Sequence, residues 1–244
     1  MVHPCYCACT VDLFSSVPGS VVAARTDETA EKVVIKVECG TLRTLNEKAA
    51  YNALEGVPGI PRCHQAATIQ SHGIIVLDRL GDNLYTYLES FQQFLPIEEI
   101  YVLGRALVKI LQDIHGQGVI HRDIKPDNIL LPLNRELQPY LVDFGHAKLY
   151  CDATGKHKPI SGERAHGMLP FMSLNVHSEI RYSRRDDIVS LAYTLIYLAH
   201  GSLPWYRLSA IQCKRMKPGF RLSDLTPPLP VALGSFLDYA TNLR

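Results

Sequence analysis

The pattern of hydrophobic and polar positions changes about a third of the way along the 244-residue chain. Up to residue 80, apolar and polar residues alternate over short runs rich in valine and isoleucine, which is typical of strands in an antiparallel sheet. We predict strands at residues 17–24, 32–38 and 74–77, and a helix at residues 42–54. The first part of the chain is therefore predicted to be a sheet with one helix.

Beyond residue 80 the apolar residues recur at steps of three and four, which predicts helices. Residues 97–115 have an amphipathic pattern, and residues 188–199 are apolar on every face. The second segment is too short to span a membrane, and Gly201 and Pro204 interrupt its continuation, so we predict a helix buried in a protein core. Strands followed by helices predict an α+β fold with two unequal lobes, residues 1–80 and 81–244.

Composition and charge exclude several classes of function. Apolar residues make up 47% of the sequence and charged residues 20%, which excludes a disordered chain. With 25 basic and 24 acidic residues, the formal net charge of +1 gives no reason to expect binding to nucleic acid or to a membrane surface. The first residues lack the pattern of a secretory signal, so we expect an intracellular protein of the cytoplasm or nucleus.

The seven cysteines are scattered, which favours reduced thiols over a disulfide framework. Three of them, Cys5, Cys7 and Cys9, alternate along the chain. They could chelate a metal ion, but structural zinc sites usually have a wider ligand spacing. We therefore favour three thiols on one side of a strand.

The strongest chemical signal is the segment HRDIKPDN at residues 121–128, followed by DFG at residues 143–145. Taken alone, Asp123 and Asp143 could be ordinary turn and cap residues. Together, the two segments resemble the eukaryotic protein kinases, in which phosphoryl transfer depends on positioning and charge neutralisation.

The kinase resemblance implies a role for each polar residue of these segments. Asp123 would orient the substrate hydroxyl and accept its proton, and Lys125 would offset charge on the transferred phosphoryl group. Asn128 and Asp143 would supply hard oxygen ligands to Mg²⁺.

A kinase-like chain should also carry a lysine on an early strand and a glutamate on the following helix. The strand residues VVIK end at Lys36, and Glu47 lies eleven residues later on the predicted helix. Alternation puts Val34 and Lys36 on one face. By resemblance, the Lys36 ammonium reaches the α- and β-phosphates of ATP and pairs with Glu47. A strand lysine considered alone would more often be a solvated surface residue.

Four other segments resemble the casein kinase 1 family in particular: VPGIP at residues 57–61, SLN at 173–175, SRRDD at 183–187 and GSLPW at 201–205. The ATP-binding positions implied by this resemblance are Gly19, Val21, Val34, Lys36, Glu47, Leu77, Asp78, Leu80 and Leu130. Leu77 would gate the adenine pocket, residues 78–81 would form the hinge between the lobes, and Leu130 would be the pocket floor. Asp187 would be a buried carboxylate that braces the catalytic loop.

The chain departs from the family pattern in the loop that covers the phosphates. Of its three usual glycines only Gly19 is present, with Phe14 and Ser16 at the other two positions. Because glycine lets backbone N–H groups approach a phosphate, we expect this loop to hold ATP less closely. The alternative for this segment is a plain hairpin without a phosphate role.

Two further departures concern the substrate segment and the end of the sequence. Met168 stands where the family has a threonine that hydrogen-bonds the catalytic aspartate and lysine, and a methionine side chain cannot donate. Pro170 replaces an arginine that helps to bind a phosphate already on the substrate, so we expect no strong preference for such substrates. The sequence stops where the family continues with its last helices, so we expect exposed apolar surface at Leu237 and Leu243.

These observations predict a bilobal, protein-kinase-like α+β fold. It has a small N-lobe of antiparallel sheet with one helix, and a mainly helical C-lobe that lacks its last helices. The predicted function is the transfer of a phosphoryl group from ATP, with Mg²⁺, to serine or threonine hydroxyls of proteins, by a monomer. One alternative is a pseudokinase that binds nucleotide with weakened turnover, and another is a non-functional shortened copy.

Overall fold

A computed structural model describes residues 6–7, 21–26, 31–39, 41–69, 72–91, 94–151, 167–178, 182–225 and 230–243. The strands of the small lobe are β1 (Tyr6–Cys7), β2 (Val21–Thr26), β3 (Lys32–Cys39), β4 (Cys63–Ile69) and β5 (His72–Asp78). They form a five-stranded antiparallel sheet in the order β1-β2-β3-β5-β4. Helix α1 (Thr41–Ala53) follows β3 and packs on β4 and β5.

The register of the sheet puts one row of side chains on the face toward the large lobe. Directly paired residues share a face, and Val21 pairs with Lys36 while Val34 pairs with Leu77. Since Val34 and Lys36 are two residues apart on β3, all four lie on the same face. The opposite face carries a separate apolar cluster, made of Ala24, Val33, Ile35, Val37 and Val76.

The large lobe is mainly helical. Its helices are α2 (Leu84–Glu89), α3 (Ile97–Gly116), α4 (Leu174–His177), α5 (Arg184–His200), α6 (Ala210–Met216) and α7 (Val231–Asn242). Its short strands are β6 (Val119–Ile120), β7 (Ile129–Leu130), β8 (Tyr140–Leu141) and β9 (Lys148–Leu149). Antiparallel pairing of β6 with β9 and of β7 with β8 brings the HRDIKPDN and DFG segments together.

Helix α5 lies at the centre of the large lobe. Nearly every residue from Asp186 to Leu198 is buried, and the helix packs against α3 and α7. The prediction of a helix buried on all faces is therefore confirmed. None of the described helices is both long enough and apolar enough to cross a membrane.

The structure corrects the predicted elements in two respects. The strand predicted at residues 17–24 is described only from Val21, where β2 begins, because residues 17–20 lie outside the described residues. Strand β4 was not predicted, because its sequence, CHQAATI, lacks apolar alternation; it lies at the edge of the sheet, where its residues are half-buried or exposed. The strands at β3 and β5 and the helices α1 and α3 lie where they were predicted.

The expectation of exposed apolar surface on α7 is wrong for Leu237. This side chain is buried, with an exposed fraction of 6%, because α7 packs against α5. Leu243 is half-buried at the end of the described chain.

Candidate active site

Lys36 lies where the two lobes meet. Its Nζ is 2.9 Å from Glu47 Oε2, 2.8 Å from Asp143 Oδ1 and 2.9 Å from Glu38 Oε1. Glu47 projects from α1 and is fully buried, whereas Asp143 belongs to the DFG segment of the large lobe. The structure thus brings together the strand lysine, the helix glutamate and the DFG aspartate that the sequence predicted.

Asp143 has an unusual backbone conformation, which determines where its side chain points. Its φ of 62° lies in the left-handed region, which residues other than glycine adopt rarely. Phe144, the next residue, is fully buried, with its ring 5.1 Å from that of Tyr51 on α1 and 4.8 Å from that of His121. This aromatic packing fixes the DFG turn against both α1 and the HRDIKPDN segment.

Asp123, Lys125 and Asn128 form a second polar cluster. Lys125 Nζ is 2.9 Å from Asp123 Oδ2, and Asn128 Nδ2 donates to Asp123 O at 2.8 Å and to Asp123 Oδ2 at 3.0 Å. The backbone N–H of Met168 donates to Asp123 Oδ1 at 3.1 Å. The Asp123 carboxylate is therefore held from both sides, by side chains on one oxygen and by backbone on the other.

Asp187 braces the backbone of this segment from the start of α5. It accepts hydrogen bonds from the backbone N–H of His121 at 2.9 Å and of Arg122 at 2.8 Å, and its Oδ2 is 2.9 Å from His115 Nε2. Arg122 has a φ of 72°, so the backbone turns sharply between these two donors and Asp123. The Asp187 carboxylate therefore holds the backbone that leads into Asp123.

Asn128 and Asp143 offer oxygen atoms suited to Mg²⁺. The two segments are joined by a hydrogen bond from Val142 N to Asn128 O of 3.0 Å. Asn128 Nδ2 is used on Asp123, which leaves the amide oxygen as an acceptor. An amide oxygen and a carboxylate are hard ligands, and Mg²⁺ takes few ligands from protein. The residues present therefore fit the ion, although Asp143 also pairs with Lys36 and Arg43.

Three of the apolar positions predicted to contact ATP lie on one face of the sheet. Val21, Val34 and Leu77 share the sheet face of Lys36. Leu80 follows β5 in the connection between the lobes, and Leu130 forms an isolated bridge with Asn83. Gly19 lies outside the described residues.

Asp78, at the end of β5, has its side chain turned toward β4. Its Oδ2 accepts from the backbone N–H of Arg62 at 2.9 Å, and its Oδ1 is 2.8 Å from His64 Nε2. A contact between Asp78 and a nucleotide would therefore have to come from its backbone.

Burial and neighbouring charges shift the pKa values around Lys36. Burial raises the pKa of Glu47 to about 7, against the effect of the Lys36 ammonium, and the Asp143 and Glu38 carboxylates raise it further. Burial alone would lower the pKa of Lys36, but its three carboxylate neighbours outweigh burial and raise it. Burial would likewise raise the pKa of Asp143, but Lys36 and Arg43 hold it well below its usual range. The carboxylates of Glu38, Glu47 and Asp143 are thus balanced by only two positive charges, which belong to Lys36 and Arg43.

Comparison with known sequences agrees with this geometry. The family model of the protein kinase domain matches residues 14–226. The chain belongs to the protein kinase family. A kinase described as a probable casein kinase I homolog of Encephalitozoon cuniculi is 34% identical over 205 residues, which make up 82% of this chain. The chain spans 64% of the length of that relative.

The predicted likeness to casein kinase 1 is therefore confirmed, as is a kinase fold with an antiparallel-sheet N-lobe and a helical C-lobe.

Two charged residues of this kinase domain were not predicted as parts of the site. Glu38 contacts Lys36, and Arg43 Nη2 lies 3.1 Å from each carboxylate oxygen of Asp143. A signal for Glu38 was present, because it follows Lys36 by two residues and therefore shares its face of β3. No signal was present for Arg43, since its contact depends on how the first turn of α1 meets the DFG segment.

Residues 167–172, which the sequence predicts to contact the substrate, are anchored through their backbone. The Met168 side chain cannot donate the hydrogen bond that a threonine would make at this position. Its backbone N–H donates to Asp123 Oδ1 instead. Trp205 Nε1 donates to Pro170 O at 2.7 Å, and Lys217 Nζ donates to Leu169 O at 3.0 Å and to Met172 O at 2.7 Å. The segment is therefore positioned without the threonine and arginine side chains of the family pattern.

Proposed function

We propose that this protein is an ATP-dependent serine/threonine protein kinase similar to casein kinase 1. It would transfer the γ-phosphoryl group of ATP to hydroxyl groups of proteins. Residues 1–80 and 81–244 would act together as one kinase domain. The observation that carries the proposal is the contact of Lys36 with both Glu47 and Asp143, because it joins a cation of the sheet to a carboxylate of the large lobe across the cleft.

In this proposal Asp123 acts on the substrate hydroxyl. Its carboxylate would orient the hydroxyl and accept its proton, while Lys125, 2.9 Å from Asp123 Oδ2, would offset negative charge beside it. Asn128 keeps Asp123 in place through two hydrogen bonds and, with Asp143, would hold Mg²⁺. ATP bound with Mg²⁺ supplies the phosphoryl group and part of the charge neutralisation.

The sheet residues would bind the nucleotide. Lys36 would contact its phosphates while Glu47 holds the ammonium in place, and Val21, Val34, Leu77 and Leu130 would provide apolar surface for the base. Leu80 and the backbone of Asp78 would contribute from the hinge. We also propose an intracellular site of action, because the seven cysteines are scattered along the sequence instead of forming the dense pattern of a disulfide framework.

A phosphate-transfer assay tests this function directly. Radiolabelled ATP and Mg²⁺ are incubated with casein and either the unmodified protein, the Asp123→Asn variant or the Asp238→Asn variant. Since loss of a general base typically costs about a hundredfold or more in rate, Asp123→Asn should almost abolish incorporation. Asp238 is exposed on α7, so Asp238→Asn should transfer normally. Equal incorporation with Asp123→Asn and the unmodified protein would contradict the proposal.

A second candidate function is that of a nucleotide-binding pseudokinase. It is favoured by Met168, whose side chain cannot donate a hydrogen bond, and by Glu38, a further carboxylate 2.9 Å from the Lys36 ammonium. A rise in melting temperature with ATP and Mg²⁺, without any phosphate transfer, would support it, because a ligand that binds only the folded state stabilises that state.

A further inference from the structure

Arg43 places a second cation on the DFG aspartate. Arg43 lies in the first turn of α1, and its Nη2 is 3.1 Å from both Oδ1 and Oδ2 of Asp143. Its Nε is 3.4 Å from Glu38 Oε1. The arginine thus spans two carboxylates, one from the sheet and one from the large lobe.

The DFG turn leaves room for this arginine. A Cβ atom added to Gly145 would lie 2.3 Å from Arg43 Nε and 2.9 Å from Arg43 Cγ. Those distances are too short for non-bonded atoms, so a side chain at position 145 would push Arg43 away. The absence of a side chain at Gly145 therefore lets Arg43 pass close to the turn and reach Asp143.

The position of Nη2 matters because it is equally distant from the two carboxylate oxygens. A cation that binds both oxygens of a carboxylate lies on the same bisecting line, at about 2.0–2.6 Å from each oxygen for Mg²⁺ or Ca²⁺. A guanidinium nitrogen and a metal ion cannot both occupy that position. A metal ion bound to one oxygen only would still be repelled by the positive charge of Arg43.

Glu38 gives the displaced arginine an alternative partner. Among the described residues Glu38 Oε2 is buried and has no hydrogen-bond partner, while Arg43 already lies close to the other oxygen of the same carboxylate. The Arg43 side chain is 39% exposed, so it has space to move. A shift of the guanidinium from Asp143 to Glu38 would satisfy that oxygen and free Asp143.

We propose that Arg43 competes with the divalent cation for Asp143. By this competition, which presupposes the nucleotide site of the proposed function, Arg43 weakens metal binding and makes nucleotide binding less dependent on metal. Arg43 is a specificity-determining residue for the metal, and its charge replaces part of the neutralisation that Mg²⁺ supplies.

The test compares nucleotide affinity with and without metal. The dissociation constant of a fluorescent ATP analogue is measured in excess Mg²⁺ and in excess EDTA, and the ratio of the two constants gives the metal dependence. The variants are Arg43→Ala and Arg43→Gln, which remove the charge. Lys48→Ala is the matched control, because it removes one positive charge from the same helix, and Lys48 Nζ donates to Ala66 O instead of Asp143.

Removal of Arg43 should increase the metal dependence about tenfold, since a charge-assisted contact of this kind corresponds to about one order of magnitude in affinity. Affinity in Mg²⁺ should rise and affinity in EDTA should fall, and Lys48→Ala should match the unmodified protein. Arg43→Gln gives the same comparison if Arg43→Ala does not fold, which its melting temperature reveals.

Two results would overturn the inference in different ways. Nucleotide binding with equal metal dependence in the unmodified protein and both Arg43 variants would remove this role of Arg43 and leave the proposed function intact. Absence of nucleotide binding in every variant, with or without Mg²⁺, would overturn the proposed function and this inference together.

Discussion

At the scale of single residues, the backbone of the HRDIKPDN segment depends on Asp187. Three donors converge on this fully buried carboxylate: the backbone N–H groups of His121 and Arg122, and His115 Nε2. The two backbone donors belong to the two residues before Asp123. Their hydrogen bonds to Asp187 therefore fix the position of the proposed catalytic carboxylate. A buried group with several donors is costly to remove, because each donor is then left without a partner.

Substitution of Asp187 by alanine should destabilise the protein strongly. Two buried backbone N–H groups lose their acceptor, and at about 1–3 kcal/mol for each unpaired group the free energy of unfolding should fall by about 3 kcal/mol or more. Urea unfolding followed by circular dichroism measures this change. Asp238→Ala, on the exposed face of α7, should change the same free energy by less than about 0.5 kcal/mol. Similar losses for the two variants would show that Asp187 does not brace the loop.

At the scale of elements, α4 and α5 are joined through one serine and one aspartate. Ser173 begins α4: its Oγ accepts from Val176 N at 3.2 Å and donates to Asp186 Oδ1 at 2.5 Å. Asp186, in the first turn of α5, also accepts from Ser183 N at 2.7 Å. Both members of this contact are buried, so residues 167–172, which precede α4, are tied to the central helix of the large lobe.

Ser173→Ala should therefore lower the free energy of unfolding by more than the loss of a typical serine cap does. Loss of a serine cap usually lowers the free energy of unfolding by about 1 kcal/mol. Here a buried carboxylate also loses a donor, so we expect about 2–3 kcal/mol. Ser209→Ala is the matched control, because Ser209 caps α6 in the same way but is exposed, and about 1 kcal/mol or less is expected. Equal losses in urea unfolding would mean that the contact with Asp186 adds nothing.

The elements that the sequence predicted are those with a strong pattern. Helix α3 repeats its apolar residues every three or four positions, and α5 is apolar on every face from residue 188 to residue 199. In both helices the side chains that the pattern marks as apolar are the ones that pack in the core. Strand β4 was missed because an edge strand needs no buried row of side chains. Among the site residues, Lys36, Glu47, Asp123, Asn128 and Asp143 belong to motifs with fixed spacing. Arg43 does not, because its contact with Asp143 exists only when the two lobes are assembled.

At the scale of the whole molecule, distant parts of the large lobe meet at Lys217. This lysine follows α6 and is 5% exposed, yet no carboxylate lies among its hydrogen-bond partners in the described residues. Its Nζ donates to Leu169 O and Met172 O, lies 3.0 Å from His177 Nε2, and stands 5.3 Å from the centre of the Trp205 ring. The segment after α6 thereby holds both residues 169–172 and helix α4.

This cluster should make the stability of the protein depend on pH through His177. Burial lowers the pKa of His177 to about 4, and the positive charge of Lys217 acts in the same direction. Burial lowers the pKa of Lys217 to about 7, so its amine is a charged donor below that pH. A donor at 3.0 Å requires a neutral Nε2, so protonation of the His177 ring breaks the contact. Because the pKa is near 6.5 in the unfolded chain, this contribution is complete above pH 6.5 and is lost as pH falls from 6.5 toward 4.

Between pH 7 and pH 5 the loss should be about 1 kcal/mol, after allowance for the partial exposure of the ring. His177→Gln keeps an acceptor for Lys217 but cannot titrate, so its free energy of unfolding should fall less over this interval than that of the unmodified protein. His72→Gln, at the start of β5 in the small lobe, should retain the full pH dependence. Urea unfolding at both pH values distinguishes these outcomes. An unchanged pH dependence in His177→Gln would mean that His177 is not held neutral by Lys217.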